Sequence, residues 1–420
     1  MTRARVQRPQ FYLIAGHVVE CFDNTLYGFF AVMLAPLFFP SHSDNATILA
    51  SYEAFFAGFI ARPLGAFCFG HLGDRKGRKY SLLYSMAFVG LPTATIGLLP
   101  TYDTIGFAAP LILILCRLTQ GFFMGGEFTG ANLYISENFV SGKVGKGTGI
   151  LIFSGVMGAV LVTLFGAVVT SQFMPSWAWR VPFILGGLSA YIVYYFRRTI
   201  SETVDFAELD TEKLLKSPWK TLLKDHKLSM VVSSLIAGLT IIPLYCATVL
   251  GNKLFKELGY SPSECMILNT VAMVVDGFSI LYFGYLADKI GFHRQMLLGI
   301  FLIGLVSIFA FYPLMEASPP LWAVLWYVLA LIGSGSIING CAMPYIASYF
   351  PTYCRFSGVA LSVTLGHAIF GGTTPLVGSY LIDAFSSRIA PVYWVVTLSL
   401  ITLLLMHFNE KPQYLKNLKG

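Results

Sequence analysis

Six ionisable side chains stand inside long apolar runs: Glu20, Asp23, Arg62, Arg117, Glu127 and Asp276. A charge in an apolar span costs about 2.5–3.5 kcal/mol or more on insertion scales, so each needs a partner or a water-filled cavity. Glu20, Asp23 and Tyr27 recur at i, i+3 and i+7 and so share one face of a helix. Arg117, Gln120 and Glu127 lie along a second helix, where Gln120, Met124 and Glu127 share a face. Carboxylates beside guanidinium groups in a cavity take up or release a proton when a neighbour moves. The chemistry these types offer is reversible protonation and the holding of a small charged solute. Glu20, Asp23, Arg117 and Glu127 are the candidates for proton exchange; Tyr27, Arg62, Gln120, Tyr245 and Asp276 are the candidates for contacting the solute. The competing reading of the charges is a permanent ion-pair network between helices. No nucleophile–base pairing or phosphate loop stands out, so no catalytic residue and no enzymatic activity are expected. The seven cysteines show no CxxC and no metal-ligand spacing, so no metal is expected.

Helices long enough to carry these groups are plain in the composition. Hydrophobic residues are 56% and charged residues 12% of the chain, and its mean hydropathy is +0.69. The apolar residues come in runs of about 20, enough for a helix to cross a bilayer core of roughly 30 Å. The expected fold class is an all-α polytopic membrane protein with twelve transmembrane helices in two pseudo-symmetric six-helix bundles. Spans are expected near 11–38, 48–70, 80–100, 108–137, 147–172 and 179–197, then 229–251, 264–287, 294–314, 320–342, 356–383 and 390–408. They divide the chain into a first bundle (1–197), a charged linker (198–228) with an amphipathic stretch around Trp219 to Leu223, and a second bundle (229–420). Of the 28 Lys and Arg, only Arg180, Lys253, Lys256 and Arg388 fall in one set of alternate loops, and only Arg62 and Arg117 within spans. That asymmetry places both termini in the cytoplasm. It also explains the net charge of +7 without nucleic acid.

The stretch GHLGDRKGRK, Gly70 to Lys79, puts five charged residues between two apolar runs, and a weaker copy, GYLADKIGFH, begins at Gly284, 214 positions on. A second echo pairs KGTG at Lys146, starting span 5, with RFSG at Arg355, starting span 11. A six-plus-six repeat is the layout of carriers that rock two halves about a central site. Gly70, Gly73 and Gly77 let spans 2 and 3 turn and approach. Asp74 suits a helix N-terminus, with span 11 near Arg355 the expected partner. Arg75 and Arg78 suit carboxylates such as Glu137, and Asp288 is the second-half copy of Asp74. Together these residues are expected to form a cytoplasmic gate; the alternative is a topology signal only.

The turn resembles the G-x-L-x-D-R-x-G-R-K signature of the major facilitator superfamily, and CRLTQG in span 4 resembles its R-x-x-Q-G motif. GHVVECFDNTLYGFF, ARPLGAFCFGHLGDRKGRK, YDTIGFAAPLILILCRLTQGFFMGGEFTGANLYISE, WRVPFILG and FPTYCRFSGVALSVTLGHAIFGGTTPLVGSYL are similar to stretches of its metabolite:proton symporter family. That family includes proline/betaine, 2-oxoglutarate, citrate and shikimate carriers, and the first half reads most like the proline/betaine members. The chain departs from the family at Cys21, at Val363-Thr364, at Tyr349 and in the second turn's missing arginine pair.

The resemblance implies uptake by alternating access of a small polar metabolite with protons, driven by the proton gradient without a bound cofactor, in a bacterial inner membrane. A zwitterion such as proline or glycine betaine is the first expectation, because the spans carry both signs of charge. An organic mono-, di- or tricarboxylate is the alternative, with Arg62 and Arg117 free to bind it. A transporter-like receptor that moves nothing is the reading from another class. The expected partners are the solute, protons and the bilayer; a monomer is the expected assembly.

Overall fold

The computed structural model describes residues 7–41, 43–138, 143–198, 218–316 and 319–409. They are helical nearly throughout. In the first half, Gln7–Phe38 forms span 1. Asp44–Ile60 and Arg62–Lys76 together form span 2. Arg78–Leu98, Ala108–Asn138, Val144–Val169 and Arg180–Arg197 form spans 3 to 6. In the second half, span 7 runs Lys227–Tyr245, Cys246–Leu250 and Gly251–Glu257. Spans 8, 9 and 10 are Pro262–Ile290, Phe292–Phe311 and Leu321–Ala347. Span 11 is Arg355–Gly366, His367–Gly372 and Thr374–Phe385, and span 12 is Pro391–Phe408. Among the described residues, 11 helices are long and apolar enough to cross a membrane; the remaining one, span 6, packs on spans 1 and 3. The surface confirms the class. Ile60, Leu64 and Phe67 form an exposed stripe on span 2, while Arg62 and Asp74 on the same span are buried. Apolar residues outside and charges inside is the arrangement for a protein solvated by lipid.

Local chemistry explains the helix ends. Span 8 begins with a reciprocal capping box: the Ser261 hydroxyl accepts from the Glu264 amide at 3.3 Å, and the Glu264 carboxylate accepts from the Ser261 amide at 2.7 Å. Pro262 fits the first turn, where no intrahelical amide is lost. The charged stretch after span 2 is not an open turn. The helix continues through Asp74, Arg75 and Lys76, and the chain reverses only at Gly77, whose φ of 112° lies where a side chain would be strained. Gly291, 214 positions on, has φ 92° between spans 8 and 9. The reversal therefore needs one glycine in each half.

Two spans depart from regular α geometry. Cys246–Leu250 of span 7 and His367–Gly372 of span 11 are π-helical. In span 7 the widened turn follows Pro243, which donates no amide hydrogen. Partners from other spans take up the local carbonyls: Tyr327 donates to Cys246 at 2.5 Å and Tyr52 donates to Val249 at 2.9 Å. Span 7 also runs further than expected. Lys253, read from sequence as a loop residue, is buried in the helical extension. Its Nζ donates to Ser379 of span 11 at 2.5 Å and lies 3.6 Å from Asp383. A buried lysine persists when it is bonded and paired.

The two halves meet along spans 5 and 8 and along spans 2 and 11. Within the first half, spans 2 and 4 touch backbone to backbone: a Cβ at Gly121 would overlap the Gly58 carbonyl, and one at Gly65 the Phe122 carbonyl. The overlapping G-x-x-x-G pattern at Gly121 and Gly125 serves this crossing. Gly121→Leu is expected to destabilise the fold by about 3 kcal/mol or more, since backbone rather than a movable side chain stands in the way. Thermal unfolding in detergent checks this; a melting temperature equal to the parent's would refute the crossing.

Candidate functional site

A cavity of about 130 Å³ lies between the two halves. At 10–15 Å³ for each water centre, that admits roughly ten waters or a small metabolite. Span 1 presents His17, Cys21, Asn24, Thr25 and Gly28 to it. Span 2 contributes Phe55 and Arg62, span 7 contributes Thr240, Tyr245 and Thr248, and span 8 contributes Asp276. Thr129 of span 4, Asn339 of span 10, and Thr364 and His367 of span 11 complete the polar lining among the described residues. Three of the sequence-predicted solute contacts, Arg62, Tyr245 and Asp276, are therefore on the wall.

Arg62 is held from two sides. One guanidinium nitrogen donates to the Asn24 side chain, and the group lies 3.7 Å over the Phe59 ring centroid. Phe59, Phe55 and Tyr245 pack edge-on and tilted around it, with centroids 5.1–5.9 Å apart. Its Nε has no hydrogen-bond partner among the described residues. The guanidinium is thus positioned without being neutralised, as a cation stacked on an aromatic face. Asp276, 214 positions on, accepts from the Ser336 hydroxyl at 2.6 Å and is buried.

The remaining polar residues of the first half stand behind the wall. Tyr27 and Gln120, expected to touch the solute, do not line the cavity. The Tyr27 hydroxyl is bonded to Ser51, and Gln120 accepts from Arg117 at 2.8 Å and donates to Thr93 at 2.6 Å. Arg117 lies 4.7 Å over the Tyr27 ring. Asp23 faces Arg117 and Thr93, yet neither carboxylate oxygen has a hydrogen-bond partner among the described residues. Glu20 does not stand free with Asp23. Its Oε2 is 2.9 Å from His17 Nδ1, so the pair bridges the cavity wall and the cluster behind it. Glu20, Asp23 and Tyr27 share a side of span 1, but the stripe at the cavity is His17, Cys21, Asn24 and Gly28, one step round the helix. Its spacing of i, i+4, i+7 and i+11 was present in the sequence, but its uncharged members carried no membrane cost to draw attention. His367 of span 11 is on the wall as well. The side chain of Glu127 lies outside the described residues.

At one end of the spans, each half closes on the other by the same device. The Asp74 carboxylate accepts from the Ser357 amide at 3.0 Å and hydroxyl at 2.5 Å, at the start of span 11. The Asp288 carboxylate accepts from the Gly145 and Lys146 amides at 2.8 and 2.9 Å, at the start of span 5. Each carboxylate uses amides that a helix N-terminus leaves free, where the helix dipole also favours a negative charge. A Cβ at Gly73 would meet the Phe356 ring of span 11. Arg355 donates to the Phe350 carbonyl of its own loop at 3.2 Å. Gly70 is buried and Arg75 exposed; the side chains of Arg78 and Glu137 lie outside the described residues. At the other end, the Tyr52–Val249 bond and the packing of Phe59 on Gly372 join span 2 to spans 7 and 11. The two halves thus meet at both ends of the spans. Among the described residues, no group of three or more His, Cys, Asp or Glu is placed to hold a metal ion.

Comparison with known proteins converges on this architecture. The Major Facilitator Superfamily profile matches residues 13–255 and 245–420. The inner membrane metabolite transport protein YhjE of Escherichia coli is 33% identical, over 94% of this chain and 92% of its own. A putative proline/betaine transporter of Staphylococcus haemolyticus is 30% identical (96% and 88%), and a citrate-proton symporter of Klebsiella pneumoniae 28% (91% and 86%). The solved proton:xylose symporter XylE, bound to 6-bromo-6-deoxy-D-glucose, superposes with a TM-score of 0.77 over 98% of both chains at 15% identity, a likeness of fold. With the profile covering nearly the whole chain and the same helical architecture beneath it, the protein belongs to the major facilitator superfamily of membrane transporters.

Proposed function

We propose that this chain takes up a small zwitterionic metabolite, of the proline or glycine betaine kind, together with protons. The observation that carries the substrate class is the pair Arg62 and Asp276, one from each half and both on the wall of one cavity. The stacked guanidinium suits a carboxylate, and the carboxylate bonded to Ser336 suits an ammonium group. The two halves, 1–197 and 229–420, joined by 198–228, alternate about the cavity. Closure at one end rests on Asp74 and Asp288 and at the other on Tyr52. The buried cluster of Asp23, Arg117 and Gln120 is the seat of proton coupling. The bacterial relatives, one of them named an inner membrane protein, support a bacterial inner membrane, and the uneven distribution of Lys and Arg supports placing the Asp74 end and both termini in the cytoplasm.

A second reading, uptake of an organic acid, is favoured by one observation: His17 and His367 join Arg62 on the same wall, so donors outnumber the single acidic group found there among the described residues. Citrate-proton symporters are among the relatives of similar identity.

Proteoliposomes loaded with a pH-sensitive dye decide between them. Proline, glycine betaine, citrate, shikimate and 2-oxoglutarate are added one at a time. Lumen acidification with proline or glycine betaine is the expected result. Acidification with an acid alone would overturn the zwitterion assignment. Tracer uptake without acidification would overturn symport.

A further inference from the structure

We infer that His17, Glu20 and Asp23 form a proton relay along span 1, carrying a proton between the cavity and the buried Arg117 cluster. The inference rests on the symport reading and adds its route. The three residues are spaced at i, i+3 and i+6, so consecutive members are neighbours on the helix surface. His17 lines the cavity, and its Nδ1 lies 2.9 Å from Glu20 Oε2. The second Glu20 oxygen, Oε1, is buried without a hydrogen-bond partner among the described residues, and so are both oxygens of Asp23. Orphaned buried oxygens are costly, and a file of three along one helix calls for an explanation. A proton shared among them supplies it, because whichever carboxyl holds it becomes a donor to its neighbour.

The step balances with one proton. Cavity water delivers it to His17 Nε2. His17 passes its Nδ1 proton to Glu20 Oε2 and is neutral again. Rotation of the Glu20 carboxyl presents that proton to Asp23, which stores it opposite Arg117. Reversal of the same steps returns it to the cavity when the other end is open. The charged and titratable groups around this file are known for the described residues. Cys21 of span 1 lies 3.7 Å from His17 Nε2. Arg62 of span 2 lies within electrostatic reach of Glu20, and Arg117 of span 4 within reach of Asp23. Span 3 offers the Thr93 hydroxyl, and span 5 offers Gly155 and Gly158, whose missing side chains leave room for His17 and Cys21 and for the span 1 backbone.

The test separates the relay from substrate binding. In proteoliposomes, exchange of labelled for unlabelled substrate needs no net proton movement, whereas accumulation against a gradient does. The probe is whichever of proline, glycine betaine, citrate, shikimate or 2-oxoglutarate the wild type exchanges. His17→Gln and Glu20→Gln are expected to slow proton uptake and accumulation by about 100-fold, the scale of a lost positioned proton carrier. Glu20→Gln, which changes no residue of the cavity wall, should keep exchange within about threefold of wild type and lose its pH dependence. Glu20→Gln is nearly isosteric and reports the relay even if His17→Gln misfolds. Coupled accumulation at wild-type rate in a folded variant would overturn the relay. So would loss of exchange together with accumulation in Glu20→Gln with an unchanged melting temperature, which would make Glu20 a solute contact. Wild-type exchange without proton uptake would instead overturn the symport reading.

Discussion

Arg62→Gln is expected to raise the concentration for half-maximal uptake by about 30-fold or more. That corresponds to about 2 kcal/mol, the low end for truncating a buried charge-assisted pair. Among the described residues, Arg62 is the one guanidinium on the cavity wall, stacked on Phe59 and braced by Asn24, with Nε unpartnered. Its planar fork matches a carboxylate, which a lysine ammonium does not, so Arg62→Lys should recover only part of the loss. Asp276→Asn divides the two substrate classes. For a zwitterion it should weaken uptake by a similar factor, because the ammonium loses its counter-charge. For an organic acid it should leave uptake unchanged or improve it. Concentration-dependent tracer uptake, with folding checked by melting temperature, reads both. An Arg62→Gln protein with wild-type affinity would remove Arg62 from the substrate site.

Asp74→Asn is expected to shift the protein toward opening at the Asp74 end by about 30-fold. Hydrogen bonds to a charged group contribute about 1.5–3 kcal/mol each, and the substitution removes the charge while leaving one acceptor. The two donors, the amide and hydroxyl of Ser357, then face a weaker acceptor, and the helix N-terminus of span 11 loses its counter-charge. Cys21 is the cavity-lining cysteine, Cys68 is exposed on the outer surface of span 2 and Cys354 stands at the start of span 11 beside Asp74, so a Cys68→Ser, Cys354→Ser background isolates Cys21 as the reporter. A membrane-impermeant maleimide applied from the Asp74 side should label Cys21 much faster in Asp74→Asn than in its parent. Asp288→Asn should act in the same direction through span 5. Unchanged labelling in both would mean that these carboxylates do not hold the closed state.

Much of this molecule was legible in its chain. Apolar runs of bilayer length marked the spans, because a helix must satisfy its backbone internally wherever lipid surrounds it. The 214-residue offset tied Asp74 to Asp288 in the sequence alone, because a duplicated fold repeats its joints at one interval, and the same interval separates Arg62 from Asp276. The expected neighbourhood of Asp74, the beginning of span 11, is also where the structure places its partner Ser357. Periodicity within a span was less decisive. Glu20, Asp23 and Tyr27 do share a side of span 1, yet a helix in the middle of a bundle has several buried sides. Which of them meets the cavity depends on how span 1 is rotated against spans 2, 4 and 5.

The sequence by itself therefore determined the class, the number and order of spans and the paired joints, since these follow from hydropathy, length and repetition along one dimension. Only the tertiary structure decided which polar groups face one another. It turned His17, Asn24 and His367 to the cavity and withdrew Tyr27 and Gln120 into a network. It seated Lys253 between spans 7 and 11, and it paired Glu20 with a histidine that carries no formal charge when neutral. Such pairings arise from helix rotation and crossing, to which residues far apart in the chain contribute jointly. Local spacing holds no record of that rotation.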